Sequence, residues 1–329
     1  MKGQKSKTIK NESSQSSSGK LLYPVLIFMT AFSFYFNSIS NDFALDDLIV
    51  ITGNQYTQKG ISGIADIMTH DAFVGAYGEA LNLTGGRYRP LSIVSFAIEK
   101  DIFGYKASVF HFFNVLFFSL TCVLLYHLLR RLLHNQNEWL PFTAAILFAI
   151  HPIHTEVVAN IKSRDEIYAL MFSMAAFIML LQKDNWRIFI AAVLFFLGLL
   201  SKENAVTFLL LIPLGLFFFS DDKLKSILTK TAPLFIVTCI YLLMRAKFAG
   251  MVGDRVTTDI MDDNYLHATM MQKLATITQI QLHYLLLLVW PVTLSYDYSY
   301  NQLPLVNWGN LQADRKSTRL NSSHVSESR

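Results

Sequence analysis

Long apolar runs recur along this chain, and they constrain its fold more than any other feature. Several of the runs approach the roughly 20 residues that a helix needs to cross a lipid bilayer. Short charged segments separate them. The chain is 52% hydrophobic and only 16% charged, whereas soluble domains average about 25% charged residues. The sequence therefore predicts an all-α polytopic membrane protein.

The order of the runs predicts a topology. Residues 1–20 are polar, serine-rich and basic, so we expect a disordered cytosolic tail there. The apolar run 21–40 has no convincing small-residue cleavage site, and we interpret it as an uncleaved first helix and not as a signal peptide. The positive-inside rule then places the following loop outside. Further spans are predicted at 108–129, 139–157, 167–182 and 231–247.

The apolar segment 188–219 is interrupted only by Ser201, Lys202, Glu203 and Asn204. One straight helix would bury both charges near the bilayer centre, at a cost of about 2.5–3.5 kcal/mol each. Two short helices that meet at this tetrapeptide place the charges at the outer face, with Asn204 as an N-cap. The sequence therefore favours a helical hairpin over a single helix.

Two segments near the end of the chain differ from the rest. Residues 274–294 mix polar and apolar positions before a short apolar run, which favours an interfacial or half-buried helix over a full span. Residues 315–329 are polar and without periodicity, and we interpret them as a non-native tail. We therefore divide the chain into a cytosolic tail 1–20, a membrane domain 21–310 and a disordered tail 311–329.

Two adjacent carboxylates, Asp46 and Asp47, follow the first apolar run. A lipid-facing helix does not tolerate such a pair, so it lies either in a solvated loop or against a cavity where it does chemistry. The loop 41–107 that holds it contains short amphipathic pieces, and loops this long are usually functional or partly ordered. The predicted outer face gathers these charged residues: Asp46, Asp47, Arg87, Arg89, His151, His154, Glu156, Arg164, Glu166, Lys202 and Glu203.

The outer histidines have two interpretations. His151, His154 and Glu156 are residue types that bind zinc, but Pro152 within the spacing argues against a regular helical ligand pair. As structure, His151 and Pro152 can cap the end of a span.

Three further features have structural alternatives. Arg164 and Lys202 can serve as membrane-surface anchors, a common role of basic residues at span ends. His111 and Asn114 share one face of a predicted helix at spacing i, i+3. That spacing favours an interhelical hydrogen bond over catalysis.

Short patterns occur in a fixed order between residues 21 and 310. No single pattern is specific, but the set resembles the transmembrane-and-TPR (TMTC-like) branch of the GT-C glycosyltransferases, relatives of the protein O-mannosyltransferases. The patterns are Phe43 with Asp46 and Asp47; Tyr88-Arg89-Pro90-Leu91; Phe110, His111 and Asn114; His151, Pro152, His154 and Glu156; Arg164 with Glu166; Ser201, Lys202 and Glu203; and the segment 291–301.

The resemblance implies a GT-C type bundle with a long first outer loop that carries short amphipathic helices. In that family, a sugar passes from a polyprenyl-phosphate carrier to a hydroxyl on the lumenal or periplasmic side. The resemblance therefore implies transfer of mannose to Ser or Thr of a protein, with Asp46 and Asp47 as catalytic residues and Asp46 as the general base. Lys202 is the expected phosphate ligand, within the substrate-binding set Arg89, His151, His154, Glu156, Arg164, Glu166, Lys202 and Glu203.

No cofactor is implied beyond the lipid-phosphate sugar as co-substrate, and a divalent metal is not favoured. The expected partners are membrane lipid, the polyprenyl-phosphate sugar and a protein or glycan acceptor, without nucleic acid. The basic tail and the uncleaved helix favour the bacterial inner membrane over the endoplasmic reticulum. The family has further membrane helices and often C-terminal tetratricopeptide repeats, so we expect a truncated membrane domain here.

Two other functions compete with a transferase. A transporter or flippase for a lipid-linked or anionic solute ranks second, because such proteins carry ionisable groups or broken helices near the bilayer centre and often inverted repeats. In this sequence the charges fall at helix ends and no internal repeat is visible. A scaffold without chemistry would leave the one-sided charge cluster unexplained.

Overall fold

The computed structural model describes residues 17–78, 87–134, 136–182, 184–250, 265–292, 294–295 and 303–310. Within those ranges the secondary structure is helical and includes no strand, which confirms the predicted all-α class. The α-helices are α1 Ser17–Tyr35, α2 Gln55–Gln58, α3 Ile64–Thr69, α4 Val74–Tyr77, α5 Pro90–Phe103, α6 Ala107–Leu132, α7 Trp139–Ile150, α8 Thr155–Ala159, α9 Arg164–Leu180, α10 Trp186–Ser201, α11 Phe208–Phe219, α12 Leu224–Ala249 and α13 Met270–Val289.

Three helices in the described part of the chain are long and apolar enough to cross a membrane: Leu21–Ser40, Ala107–Leu132 and Leu224–Ala249. The count becomes four if α7 and the segment Pro152–Ala159 form one broken span. Helices α10 and α11 are apolar but shorter. The 20-residue α13 is not among the candidate spans.

The chain divides into two compact units, and the first unit comprises Met1–Asp42, Lys106–Ile150 and Arg164–Thr238. Helices α1, α6 and α7 pack against one another there, and α9 packs against α6 and α10. The edge of the Tyr35 ring meets Phe118 at a centroid distance of 5.2 Å. A Cβ at Gly198 of α10 would lie only 3.1 Å from Ser173 Oγ of α9. This glycine therefore permits the close approach of the two helices.

The predicted interruption of the apolar segment 188–219 is present. Helix α10 ends at Ser201, and Lys202 is extended with φ −156° and ψ 141°. A 3-10 helix, Glu203–Thr207, then leads into α11. Asn204 lies inside that 3-10 helix and the preceding Lys202 makes no side-chain cap, so the predicted N-cap at Asn204 is wrong.

Helix α12 begins at Leu224, seven residues before the predicted span 231–247. The reason is Asp222, whose carboxylate accepts hydrogen bonds from Ser226 at 3.2 Å and from Lys230 at 2.5 Å. These contacts link Asp222, two residues before the helix, to its first two turns. Side-chain contacts therefore stabilise the polar start of α12, which the apolar pattern of the sequence did not predict.

The second unit comprises Phe43–Tyr105, His151–Ser163 and Cys239–Arg329. Its predicted outer loop is largely helical, with a π-helical turn at Leu48–Thr52, a 3-10 turn at Gly60–Gly63, and α2 to α5. Asn54 organises the loop: its Oδ1 accepts from two backbone N–H groups at the start of α2, and its Nδ2 donates to the carbonyls of Ile49 and Ala72 at 3.1 and 3.2 Å.

Some predictions fall outside the described residues. They concern the first sixteen residues of the cytosolic tail, most of the segment 291–301, and the tail 311–329. Helix α1 begins at Ser17, four residues before the predicted start of the first span.

Candidate active site

Asp46 and Asp47 lie in a tight turn that two hydrogen bonds between Ala44 and Asp47 close. The N–H of Asp47 donates to the carbonyl of Ala44 at 3.0 Å, and the N–H of Ala44 donates to Asp47 Oδ2 at 2.9 Å. Leu45, between them, has φ 49°. A leucine in this left-handed region is strained, and such strain often marks functional sites.

The two carboxylates have different surroundings. Asp47 is 1% exposed, and its Oδ1 accepts the backbone N–H of Lys162 at 3.0 Å. The Asp46 side chain is 48% exposed, and its Oδ2 lies 3.7 Å from Lys162 Nζ. Asp47 therefore anchors the turn to the segment that contains Lys162, whereas Asp46 remains accessible beside a cation.

A cavity of about 910 Å³ lies in the second unit next to this turn. Asp47, Glu156 and Asn160 supply polar groups to its wall, while Ile153 and Leu287 are among its apolar residues. Pockets of roughly 300–1,000 Å³ with a few polar groups on an apolar wall are typical of small-ligand sites. Two of the predicted site residues, Asp47 and Glu156, thus line one cavity, and Asp46 lies beside Asp47 in the turn.

His151 has a structural role. Its Nδ1 accepts the N–H of Ile153 at 3.2 Å, which caps the 3-10 turn Pro152–His154. Its Nε2 lies 3.1 Å from the carbonyl of Leu288, and a carbonyl only accepts, so Nε2 carries the proton. The rings of His151 and His154 are 6.1 Å apart. His151 is therefore the N-cap of the 3-10 turn that follows α7.

Arg89 and Tyr88 lead into α5. Arg89 is half-buried at the N-cap position, and Pro90 occupies the first helical position, where a missing N–H costs nothing. Tyr88 is 1% exposed. Its hydroxyl donates to the carbonyl of Met68 at 2.8 Å, and its own carbonyl accepts from the Tyr241 hydroxyl at 3.3 Å. Tyr88, just before α5, is therefore hydrogen-bonded both to Met68 of α3 and to Tyr241 of α12.

In the first unit, Arg164 is fully buried at the start of α9. Its Nε donates to Asn114 Oδ1 at 2.6 Å and its Nη2 to the carbonyl of Phe110 at 2.8 Å, while its guanidinium lies over the Phe117 ring. Arg164 is therefore a brace between α9 and α6 and differs from the surface anchor that its position suggested. Asn114 makes the interhelical hydrogen bond that its spacing favoured.

Lys202 lies at the break after α10 and pairs with the acids that begin α9. Its ammonium forms an ion pair with Glu166, and a second carboxylate, Asp165, lies 3.8 Å away and is nearly buried. The Lys202 side chain is 14% exposed. Glu203 is half-buried in the following 3-10 turn. Lys202, Glu166 and Arg164 are thus gathered on the same end of α9.

Sequence reasoning missed Lys162 and Asp165 as members of these sites. Both lie within or beside the patterns that carry the resemblance, but neither has a distinctive spacing. Lys162 acts on the acidic pair through its backbone N–H as well as its ammonium, and no sequence signal reports a backbone donor.

Comparison with known proteins shows what this chain is similar to. Residues 94–249 match the family described as dolichyl-phosphate-mannose-protein mannosyltransferase. The Caenorhabditis elegans protein O-mannosyl-transferase F38B6.6 is 28% identical over 276 residues, which are 80% of this chain and 37% of that protein. Human protein O-mannosyl-transferase TMTC2 is 28% identical over 309 residues, 84% of this chain and 36% of that protein.

A third relative, human protein O-mannosyl-transferase TMTC1, is 34% identical over 145 residues, which are 44% of this chain and 16% of that protein. No solved structure matches the chain. The chain spans little more than a third of the length of the first two relatives. By these matches, the chain is similar to the TMTC-type protein O-mannosyl-transferases.

Proposed function

We propose that this chain provides the acceptor-activating part of a membrane glycosyltransferase, which moves mannose from a polyprenyl-phosphate carrier to a Ser or Thr hydroxyl of a protein. The observation that carries the proposal is the difference in exposure and partners between the two carboxylates of the acidic pair. Asp47 is buried and anchored by backbone N–H groups, which holds the half-exposed Asp46 in place next to Lys162.

Asp46 is the proposed general base. An acceptor hydroxyl gives its proton to Asp46 as its oxygen bonds to the anomeric carbon, and the bond from that carbon to the carrier phosphate breaks with the electron pair leaving on phosphate. Proton transfer to a positioned base contributes about 10²–10⁴-fold to such reactions. Lys162 orients the carboxylate, and a single displacement of this kind inverts the anomeric centre.

Glu156 and Asn160 are the proposed sugar ligands. Both line the cavity with Asp47, and carboxylate and amide groups offer the acceptors and donors that sugar hydroxyls need. His154 is placed near them by the short 3-10 turn that His151 caps. No role as a metal ligand is proposed for His151, because its two ring nitrogens already serve backbone groups.

Lys202 is the proposed ligand of the carrier phosphate, as the family resemblance implies. An ammonium has three N–H donors, and its carboxylate neighbours, Glu166 and Asp165, leave one of them for a phosphate oxygen. The buried Arg164 then supports this end of α9 from behind through Asn114. Cations aimed at the departing phosphate stabilise the charge that grows on it.

The bacterial inner membrane is the location we propose, because a basic segment precedes the first candidate span. The relatives named above are animal proteins. The endoplasmic reticulum is therefore the competing location. Fractionation of cells that express the chain distinguishes the two.

The test is transfer of radiolabelled mannose from polyprenyl-phosphate mannose to protein, in membranes that carry the full-length protein. We expect Asp46→Asn to lower the rate by about 10²-fold or more. Asp66→Asn is the matched control, since Asp66 is an exposed acid paired with Lys59 at 2.6 Å in the same unit. Wild-type rates in Asp46→Asn contradict the assignment of the base, and solute flux in proteoliposomes without sugar transfer supports the transporter instead.

A further inference from the structure

A second cavity, of about 570 Å³, lies in the first unit, away from the residues assigned above. One wall is the basic end of α6, where His127, Arg130 and Arg131 are spaced i, i+3 and i+4 and so share one helix face. His134 follows in the turn after the helix. The opposite wall is the turn between α11 and α12, with Asp221. No part of the proposed transfer reaction uses this cavity.

Most charges at the cavity neutralise one another in pairs. Arg130 donates through Nε and Nη2 to Glu138 Oε1, at 3.1 and 2.6 Å. Lys230 pairs with Asp222 at 2.5 Å. These two cations and two carboxylates therefore contribute little net charge to a ligand.

Two opposite charges are left over. Arg131 donates through Nη1 to the carbonyl of Ile178 at 3.2 Å, which is a neutral partner, and the remaining guanidinium N–H groups have no acceptor in the described part of the chain. Asp221 forms neither a hydrogen bond nor an ion pair with any described residue. The cavity thus presents one uncompensated cation and one uncompensated carboxylate.

The position of the cavity relates it to the membrane surface. It lies where the candidate span α6 ends and the candidate span α12 begins, and the ends of spans lie among lipid head groups. Trp139 and Trp186 begin α7 and α10, next to this end of the unit, and are 58% and 59% exposed. Exposed tryptophans at span ends are typical of the membrane–water interface.

We propose that this cavity binds the head group of a zwitterionic phospholipid of the phosphoethanolamine type, with the phosphate on Arg131 and the ammonium on Asp221. A guanidinium has the planar geometry that matches phosphate oxygens with two parallel N–H bonds. His127 and His134 each supply one further ring N–H in their neutral form. The cavity volume lies in the range of small-ligand pockets, about 300–1,000 Å³.

The test is binding of short-chain lipids to the purified full-length protein in detergent, followed by the lipid-dependent rise in its thermal unfolding temperature. We expect short-chain phosphatidylethanolamine to stabilise the wild type saturably. Phosphatidylglycerol of the same chain length, which has the phosphate without the ammonium, should bind about tenfold more weakly or worse. Arg131→Gln and Asp221→Asn should each lower the affinity for phosphatidylethanolamine by a similar factor.

Lys106→Gln is the matched control, because Lys106 is an exposed cation of the same unit at the other end of α6 and does not line the cavity. Equal binding of the two lipids, or unchanged binding in Arg131→Gln, overturns the proposal. Inorganic phosphate that competes fully at equal concentration overturns the lipid assignment in favour of a free anion site. If the Arg131 variant does not fold, Asp221→Asn still tests the proposal, because Asp221 lies between α11 and α12 and not within a helix.

Discussion

The backbone N–H of Lys162 donates to Oδ1 of Asp47 at 3.0 Å, and this hydrogen bond joins two segments 115 residues apart in the chain. The same carboxylate closes its own turn through the N–H of Ala44. Because Asp47 is 1% exposed, water cannot replace either bond. The position of Asp46 therefore depends on an anchor that belongs to its neighbour.

Asp47→Ala should destabilise the second unit. The change leaves two backbone N–H groups without their acceptor, and each costs about 1–3 kcal/mol when buried. Asp46→Ala is the control, because a half-exposed ion pair contributes only about 0–1 kcal/mol. Thermal unfolding in detergent measures both variants, and equal midpoints would show that Asp47 is not an anchor.

Arg164→Met should weaken the packing of α9 on α6. The buried Asn114 amide loses the guanidinium that its Oδ1 binds at 2.6 Å, at a cost of about 1–3 kcal/mol. Arg164→Lys should not restore the stability, because a lysine lacks the planar donors that reach Asn114 and the Phe110 carbonyl together. Full stability of the lysine variant in a thermal unfolding experiment would argue against a brace.

Lys202 and Glu166 should show strong coupling. Lys202→Met leaves the nearly buried Asp165 and the neighbouring Glu166 without their cation, whereas Glu166→Gln removes one carboxylate from it. Residues in one ion-pair network typically couple by about 0.5–3 kcal/mol. A double-mutant cycle of unfolding free energies measures this coupling, and additive effects would exclude the network.

A mannose-transfer assay distinguishes the structural role of Lys202 from its proposed role in phosphate binding. If Lys202 binds the carrier phosphate, Lys202→Arg should retain more transfer activity than Lys202→Met at equal amounts of folded protein, because the charge is kept. Equal activity of the two variants would indicate that Lys202 acts only through its ion pairs.

The stability of the start of α12 should depend on pH. The hydrogen bond from Lys230 is the main cause that lowers the pKa of Asp222, followed by the charge of Lys230 and hydrogen bonds from Ser226 and Ser220, against the opposing effect of burial. A lowered folded-state pKa stabilises the fold above the unfolded-state value of about 3.9, and this stability is lost as pH falls toward the folded-state pKa.

Asp222→Asn is the variant that tests this dependence. We expect the wild type to lose more thermal stability than the variant between about pH 5 and pH 3, measured as the midpoint of thermal unfolding at each pH. Asp184→Asn, which removes an exposed carboxylate, is the control. Parallel pH profiles for wild type and Asp222→Asn would contradict the expected role of the Lys230 pair.

The sequence by itself determined the features that local patterns control. Apolar runs of helical length predicted the all-α membrane class and most of its helices, and the four polar residues 201–204 marked the break after α10 because two charges inside one span would be too costly. The ordered patterns also predicted the likeness to the protein O-mannosyl-transferases. Each of these inferences depends on residues close together in the chain.

Tertiary structure alone decided which charged residues pair. Asp47 with Lys162 and Arg164 with Asn114 are 115 and 50 residues apart, so their contacts follow from how helices pack and not from any spacing. Arg164, expected as a substrate-binding residue or a surface anchor, is a buried brace, and the early start of α12 depends on Asp222. Side-chain roles of this kind are set by the neighbours that the fold supplies, because burial and the available partners, more than residue type, decide what a charged group can bind.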